Sequence, residues 1–161
     1  MHLENQHALS LVSAGKIGQV NFTRLTLATQ CKTISDKEAI MKEVLDFIRA
    51  IHRDRIDTLY ATCHKSAAVY LISLQFFNHS LANILLDFSY QDSDNYLKNF
   101  EIAGTRGIYQ YDSQQKHSFS SNFLNQGSYQ AQTEFSPVDN IWLNELLREI
   151  ELSIRNNQLI Q

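Results

Sequence analysis

Phe100-Glu101-Ile102-Ala103-Gly104-Thr105-Arg106-Gly107-Ile108-Tyr109-Gln110-Tyr111-Asp112 reads as two strands around a tight turn. Tyr96–Ala103 and Ile108–Asp112 are the arms. Gly104-Thr105-Arg106-Gly107 is the turn, with glycines where a positive φ is easiest. Upstream, Leu81–Tyr90 alternates: Ala82, Ile84, Leu86, Phe88 and Tyr90 share one face, while Asn83, Asp87 and Ser89 share the other. That pattern predicts a sheet with one covered face and one more polar face, as in antiparallel sheets. Ala67–Phe77 and Ile56–His64 continue the run of strands, with Asn78-His79-Ser80 as a polar turn.

Helices bracket this run. Residues 3–13 carry Leu3, Ala8, Leu11 and Val12 at helical intervals, and Gly15 is a natural stop. Val20, Phe22, Leu25 and Leu27, with polar residues among them, predict a long strand over Ile17–Thr29. Ser35-Asp36-Lys37-Glu38 has the form of a capping box, followed by the apolar stripe Ile40, Met41, Val44, Leu45, Ile48 and Ile51. Ser136-Pro137 opens a last helix with its stripe at Leu143, Leu146, Leu147, Ile150 and Ile154. Residues 113–136, rich in Ser, Gln and Asn, are expected to form edge strands and loops. The expectation is a single α+β domain over residues 1–161: a large, predominantly antiparallel sheet, two or three helices packed on one face, and the other face open for association.

Composition excludes several function classes. The 161 residues contain five Gly and one Pro, with no G-x-G-x-x-G and no G-x-x-x-x-G-K-[ST], so a self-contained nucleotide enzyme of the usual kinds is not expected. Fourteen Lys and Arg against 17 Asp and Glu give a charge of −3, without the basic surplus of a nucleic-acid binder. The longest apolar run, around Ala67–Leu74, falls far short of the roughly 20 residues that cross a bilayer. The first residues have no secretion-signal pattern, and Cys31 and Cys63 form no C-x-x-C, so reduced thiols in a cytoplasmic protein are expected. The six histidines lack metal-ligand spacing, so no metal site is expected. No Ser, Cys or His motif marks a catalytic centre.

Several phrases, in this order, resemble the C-terminal domain of the Gfo/Idh/MocA oxidoreductases, the glucose–fructose oxidoreductase and inositol dehydrogenase family. Gly15-Lys16-Ile17-Gly18-Gln19-Val20 is similar to the family's G-x-I-G-x-V opening, and the hairpin Phe100–Asp112 is similar to its E-I-x-G-T-x-G-x-x-x-x-D phrase. Asn83–Tyr90 and the final helix fall where the family has a sheet strand and a closing helix. The resemblance covers about residues 3–156 and about the second half of a family enzyme, with 3–14 as the remnant of an interdomain helix.

Such enzymes carry a preceding Rossmann domain, a Lys in an E-K-P motif, and D-x-x-x-H-x-x-D on the helix after the first long strand. The Rossmann motif and the E-K-P are absent here. Aligning the helix on Asp46 puts Glu43 at the His position and Ala39 at the first Asp position. The resemblance therefore implies no catalytic residues, no activity by the chain on its own, and no cofactor, NAD(P) entering only with a separate Rossmann chain or domain. Candidate substrate-binding residues are Arg24, Glu43 and Asp46, although Lys42 and Arg49 beside Asp46 explain it equally well as a helix-surface ion pair. The implied partners are a second copy through the open sheet face or a full-length family member, with neither nucleic acid nor membrane. The alternatives are the substrate-binding half of a split NAD(P)-dependent sugar or polyol oxidoreductase, and a small-ligand binding protein.

Overall fold

The computed structural model describes residues 1–31, 33–64, 68–92, 95–115 and 129–161. Their elements, in chain order, are α1 (Leu3–Ser13), β1 (Val20–Ala28), α2 (Ile34–His52), β2 (Ile56–His64), β3 (Val69–Phe76), β4 (Leu81–Asp87), β5 (Leu97–Gly104), β6 (Ile108–Asp112) and α3 (Pro137–Asn156). The strands form one sheet in the order β2-β3-β4-β1-β5-β6, antiparallel except for the parallel β1–β4 pair. This is the α+β domain expected from the alternation. None of the described helices is long and apolar enough to cross a membrane.

Strand register turns the alternation into two faces. Ala61, Ile72, Ile84, Leu25, Phe100 and Tyr111 lie side by side in one row across all six strands, and each is at most 1% exposed. One residue along each strand, Tyr60, Ser73, Asn83, Arg24, Glu101 and Gln110 form a parallel row on the opposite face, none of them buried. The helices cover the apolar face. α2 packs on β1 and sets Phe47 edge-on against Phe100 at 5.3 Å, α3 packs on β2, and α1 packs on α2.

Several boundaries differ from the sequence reading, each for a physical reason. The cap of α2 is Thr33, two residues before the expected Ser35: its hydroxyl accepts from Asp36 N at 3.0 Å, an arrangement that Ser35, already inside the helix, cannot make. Ser136 caps α3 as expected, with Pro137 at the first turn. β1 begins at Val20 because Gly18, at φ +80, turns the chain first. β4 ends at Asp87, whose carboxylate accepts from Ser89 N at 2.8 Å and breaks the extended chain. Within 113–136, residues 129–136 form no strand, and 116–128 lie outside the described residues.

The two glycine phrases have a joint explanation. Thr105 N donates to Gln19 O and Arg106 N to Ile17 O, both at 2.9 Å, so the two turns are clasped together. A Cβ on Gly104 would lie 2.5 Å from Ile17 O, and one on Gly18 would lie 2.4 Å from Thr105 Oγ1. Neither Gly104 nor Gly107 has a positive φ, contrary to the turn expectation. Gly104 is required by close approach, not by backbone conformation.

Candidate functional site

The strongest concentration of polar chemistry lies on the helix side of the sheet. α1 brings Glu4 and Asn5, β5 brings Lys98, α2 brings Glu43, and Tyr129 comes from the chain before α3. Lys98 is 1% exposed, and its ammonium has three acceptors: Glu4 Oε1 at 2.6 Å, Asn5 Oδ1 at 2.8 Å and the Tyr129 hydroxyl at 3.2 Å. Three N–H donors with three acceptors is what allows an ammonium to be buried at all. The Tyr129 phenol donates onward to Glu43 Oε1 at 2.7 Å, and Gln132 N donates to Glu43 Oε2 at 2.6 Å. His2 stacks on the Tyr129 ring at 4.4 Å and hydrogen-bonds to Gln130 O through Nε2 at 3.0 Å.

Burial is the largest influence on the titration of Lys98, Tyr129 and His2. Burial lowers the Lys98 pKa from the usual lysine value, with Glu4 opposing the shift. Burial raises the Tyr129 pKa well above the phenol range, and the adjacent Glu43 adds to the effect. Burial and then the Lys98 ammonium lower the His2 pKa, with Glu43 and Glu4 pulling the other way. A phenol held protonated is a hydrogen-bond donor and not a base. Glu43, with both oxygens already accepting, is occupied as a structural anchor.

The three sequence candidates do not share a site. Glu43 is 1% exposed inside this cluster. Asp46, one turn further along α2, accepts from Arg49 Nη2 at 2.8 Å; the same nitrogen donates to Asp139 of α3 at 2.9 Å, and the guanidinium lies over Trp142. Burial raises the Asp46 pKa while Arg49 opposes it. Arg24 stands on the opposite side of the sheet, paired in register with Asn83 and Glu101.

Lys98, Glu4, Asn5, Tyr129 and His2 escaped the sequence reading. Two signals were available. Lys98 lies two residues before Phe100 and four before Ile102, on the inward positions of β5, and Glu4 precedes Ala8 and Val12 at intervals of four along the buried side of α1.

Beside the cluster lies a cavity of about 340 Å³ lined by Cys31, Ala39, Ile40, Tyr129, Gln130 and Ala131 among others. The Cys31 thiol is pushed up to about 11, mainly by burial and then by Asp36, so it is no activated nucleophile. Both cysteines are free, and the described residues include no cluster of three or more potential metal ligands.

Neither the known family models nor the curated proteins match this chain. Solved structures do. A myo-inositol dehydrogenase from Corynebacterium glutamicum is 16% identical, with a TM-score of 0.70 over 98% of this chain and 61% of its own. A scyllo-inositol dehydrogenase from Lactobacillus casei, solved with NAD(H) and scyllo-inositol, is 14% identical with a TM-score of 0.60, over 99% of this chain and 62% of its own. An aldose-aldose oxidoreductase from Caulobacter crescentus is 11% identical with a TM-score of 0.63, over 98% and 60%. The structural neighbours are thus Gfo/Idh/MocA-type oxidoreductases, and the chain has the fold of one portion of them. It spans about 60% of their length.

Proposed function

We propose that the chain acts as an association module, a catalytically inactive relative of the oxidoreductase C-terminal domain that meets its partner through the uncovered face of the sheet. The observation that carries this reading is the row Tyr60, Ser73, Asn83, Arg24, Glu101 and Gln110 with Phe22, Leu71, Leu81 and Leu85 around it, on a face that no described helix covers. Six strands about 4.8 Å apart, at about 3.3 Å per residue, offer roughly 600 Å² of flat surface. That approaches the roughly 800 Å² per partner of a standard interface. The outer edge of β2 is less available: Leu59 exchanges both backbone hydrogen bonds with Ile160, at 2.9 and 2.8 Å, and Ser153 Oγ accepts from Ala61 N.

Loss of catalysis is supported by the engagement of Glu43, at the family's His position, with Tyr129 and Gln132, and by an alanine, Ala39, at the family's first Asp position. Gly18 and Gly104 are closed against the opposite turn, so neither offers a cradle for a dinucleotide phosphate. In this reading the cofactor enters only with a separate Rossmann chain or domain.

Light scattering on the full chain at tens of micromolar tests the assembly. A dimer mass that falls to the monomer in Leu71→Asp/Leu85→Asp supports association through this face. A monomer at every concentration overturns the self-association, leaving a full-length oxidoreductase as the partner to be tested by co-elution. A second reading, small-ligand binding, is favoured by the 340 Å³ cavity. A thermal-shift screen with sugars, polyols and nucleotides tests it, and a flat response removes it.

A further inference from the structure

Tyr129–Gln132 belongs to no helix or strand, yet its residues Tyr129, Gln130 and Ala131 line the cavity. Among the described residues, the segment's hydrogen bonds run to side chains or to the Met1 amine, with no neighbouring backbone ladder. Tyr129 N donates to Thr29 Oγ1 at 2.9 Å, its phenol donates to Glu43 at 2.7 Å and accepts from Lys98 Nζ at 3.2 Å, and Gln132 N donates to Glu43 at 2.6 Å. His2 and the Met1 amine bond to the carbonyls of Gln130 and Gln132, at 3.0 and 2.7 Å. Tyr129 is buried, whereas Gln130 and Gln132 are exposed. A ladder spreads its cost of opening over many equal bonds; here, of the six bonds made with described residues, two go to one carboxyl group. Segments held in this way open at the low end of a protein's stability range.

We propose that Tyr129–Gln132 is a releasable strap over the cavity and that Glu43 is its latch. The residue at the family's His position thereby closes the cavity instead of serving chemistry inside it. The inference deepens the small-ligand reading and rests on that cavity, independently of the sheet face.

Cys31 reports on the strap, because it lines the same cavity as Tyr129–Ala131, and Cys63 on β2 serves as an internal reference. The full chain and its Glu43→Gln and Tyr129→Phe variants are labelled with N-ethylmaleimide and each thiol is followed by mass spectrometry. Weakening a charged hydrogen bond predicts Cys31 labelling about tenfold faster in Glu43→Gln. Tyr129→Phe, which removes the phenol's bonds to Glu43 and Lys98 but keeps the Gln132 bond, also labels Cys31 faster, and Cys63 keeps its rate in both variants. An unchanged Cys31 rate in both variants overturns the strap. Equal acceleration at both thiols overturns it too, since the loosening is then global. The thermal-shift screen is run on the same samples: failure of the small-ligand reading leaves that screen flat while Cys31 is still labelled faster in Glu43→Gln, whereas failure of the strap leaves the Cys31 rate unaltered.

Discussion

The two faces of this sheet are built from the same strands one residue apart, and they differ in almost every physical respect. Phe100 is 1% exposed against Phe47 and Tyr111, while its neighbour Glu101 points to the other side and takes a hydrogen bond from Gln110. The inner row is apolar because α2 and α3 remove it from water, a gain of roughly 25 cal/mol for each Å² of apolar surface. The outer row is polar because nothing in the described chain desolvates it. The lesson is a division of labour along each strand, with alternate positions holding the domain together and the positions between them left free for contact.

The largest predicted effect lies on the inner row. Phe100→Ala should cost about 3–5 kcal/mol by chemical denaturation, since the ring is enclosed on both sides. A loss below about 1 kcal/mol would erase the distinction between the faces.

Next is acid sensitivity on the covered side. His52 is 4% exposed, stacks on Phe76 at 4.2 Å, and places Nδ1 2.7 Å from Ser80 Oγ. Because the Ser80 hydroxyl proton goes to Asn78 Oδ1, Nδ1 must be the donor and Nε2 carries the bare lone pair. Burial lowers its pKa from 6.5 to about 4. The unfolded chain therefore binds more protons between these values, so the stabilisation is complete above pH 6.5 and is lost as pH falls toward 4. The loss is on the order of 3 kcal/mol. Denaturation at pH 7 and pH 4 should show a smaller pH effect in His52→Gln than in the unsubstituted chain.

Gly104→Ala should cost about 1–3 kcal/mol, because its Cβ meets the Ile17 and Gln19 carbonyls and the clasp must shift. An unchanged melting temperature would show that the clasp yields freely. The smallest stability effect is expected on the outer row: Arg24→Ala should change unfolding by no more than about 0.5 kcal/mol while weakening association. A large loss of stability there, with association intact, would reverse the roles assigned to the two faces.

Much of the architecture was legible before any coordinates. The alternation in Leu81–Tyr90 identified the covered and uncovered sides of β4, and the stripe from Ile40 to Ile51 marked the buried face of α2. Ser136-Pro137 marked the start of α3. The site was far less legible. Glu43 could be singled out by resemblance, but its partners Tyr129 and Gln132 are 86 and 89 residues away, and no local pattern announces such a pairing. Lys98 was hidden because a lysine between Leu97 and Asn99 reads as solvated until the strand's inward register is known.

By itself the sequence determined the α+β class, the strands of the hairpin Phe100–Asp112, and the lack of a glycine-rich phosphate loop. Tertiary structure alone decided that β1 lies inside the sheet between β4 and β5, and that Gly18 and Gly104 serve one clasp. It alone decided that Lys98 is neutralised by Glu4 across 94 residues of chain. The reason is the range of the interactions. Periodicity of two or of 3.6 records which side of an element is dry, because burial acts on each residue where it stands. Which strands become neighbours, and which buried charges meet, is set by packing between segments far apart in the chain, and no local pattern encodes it.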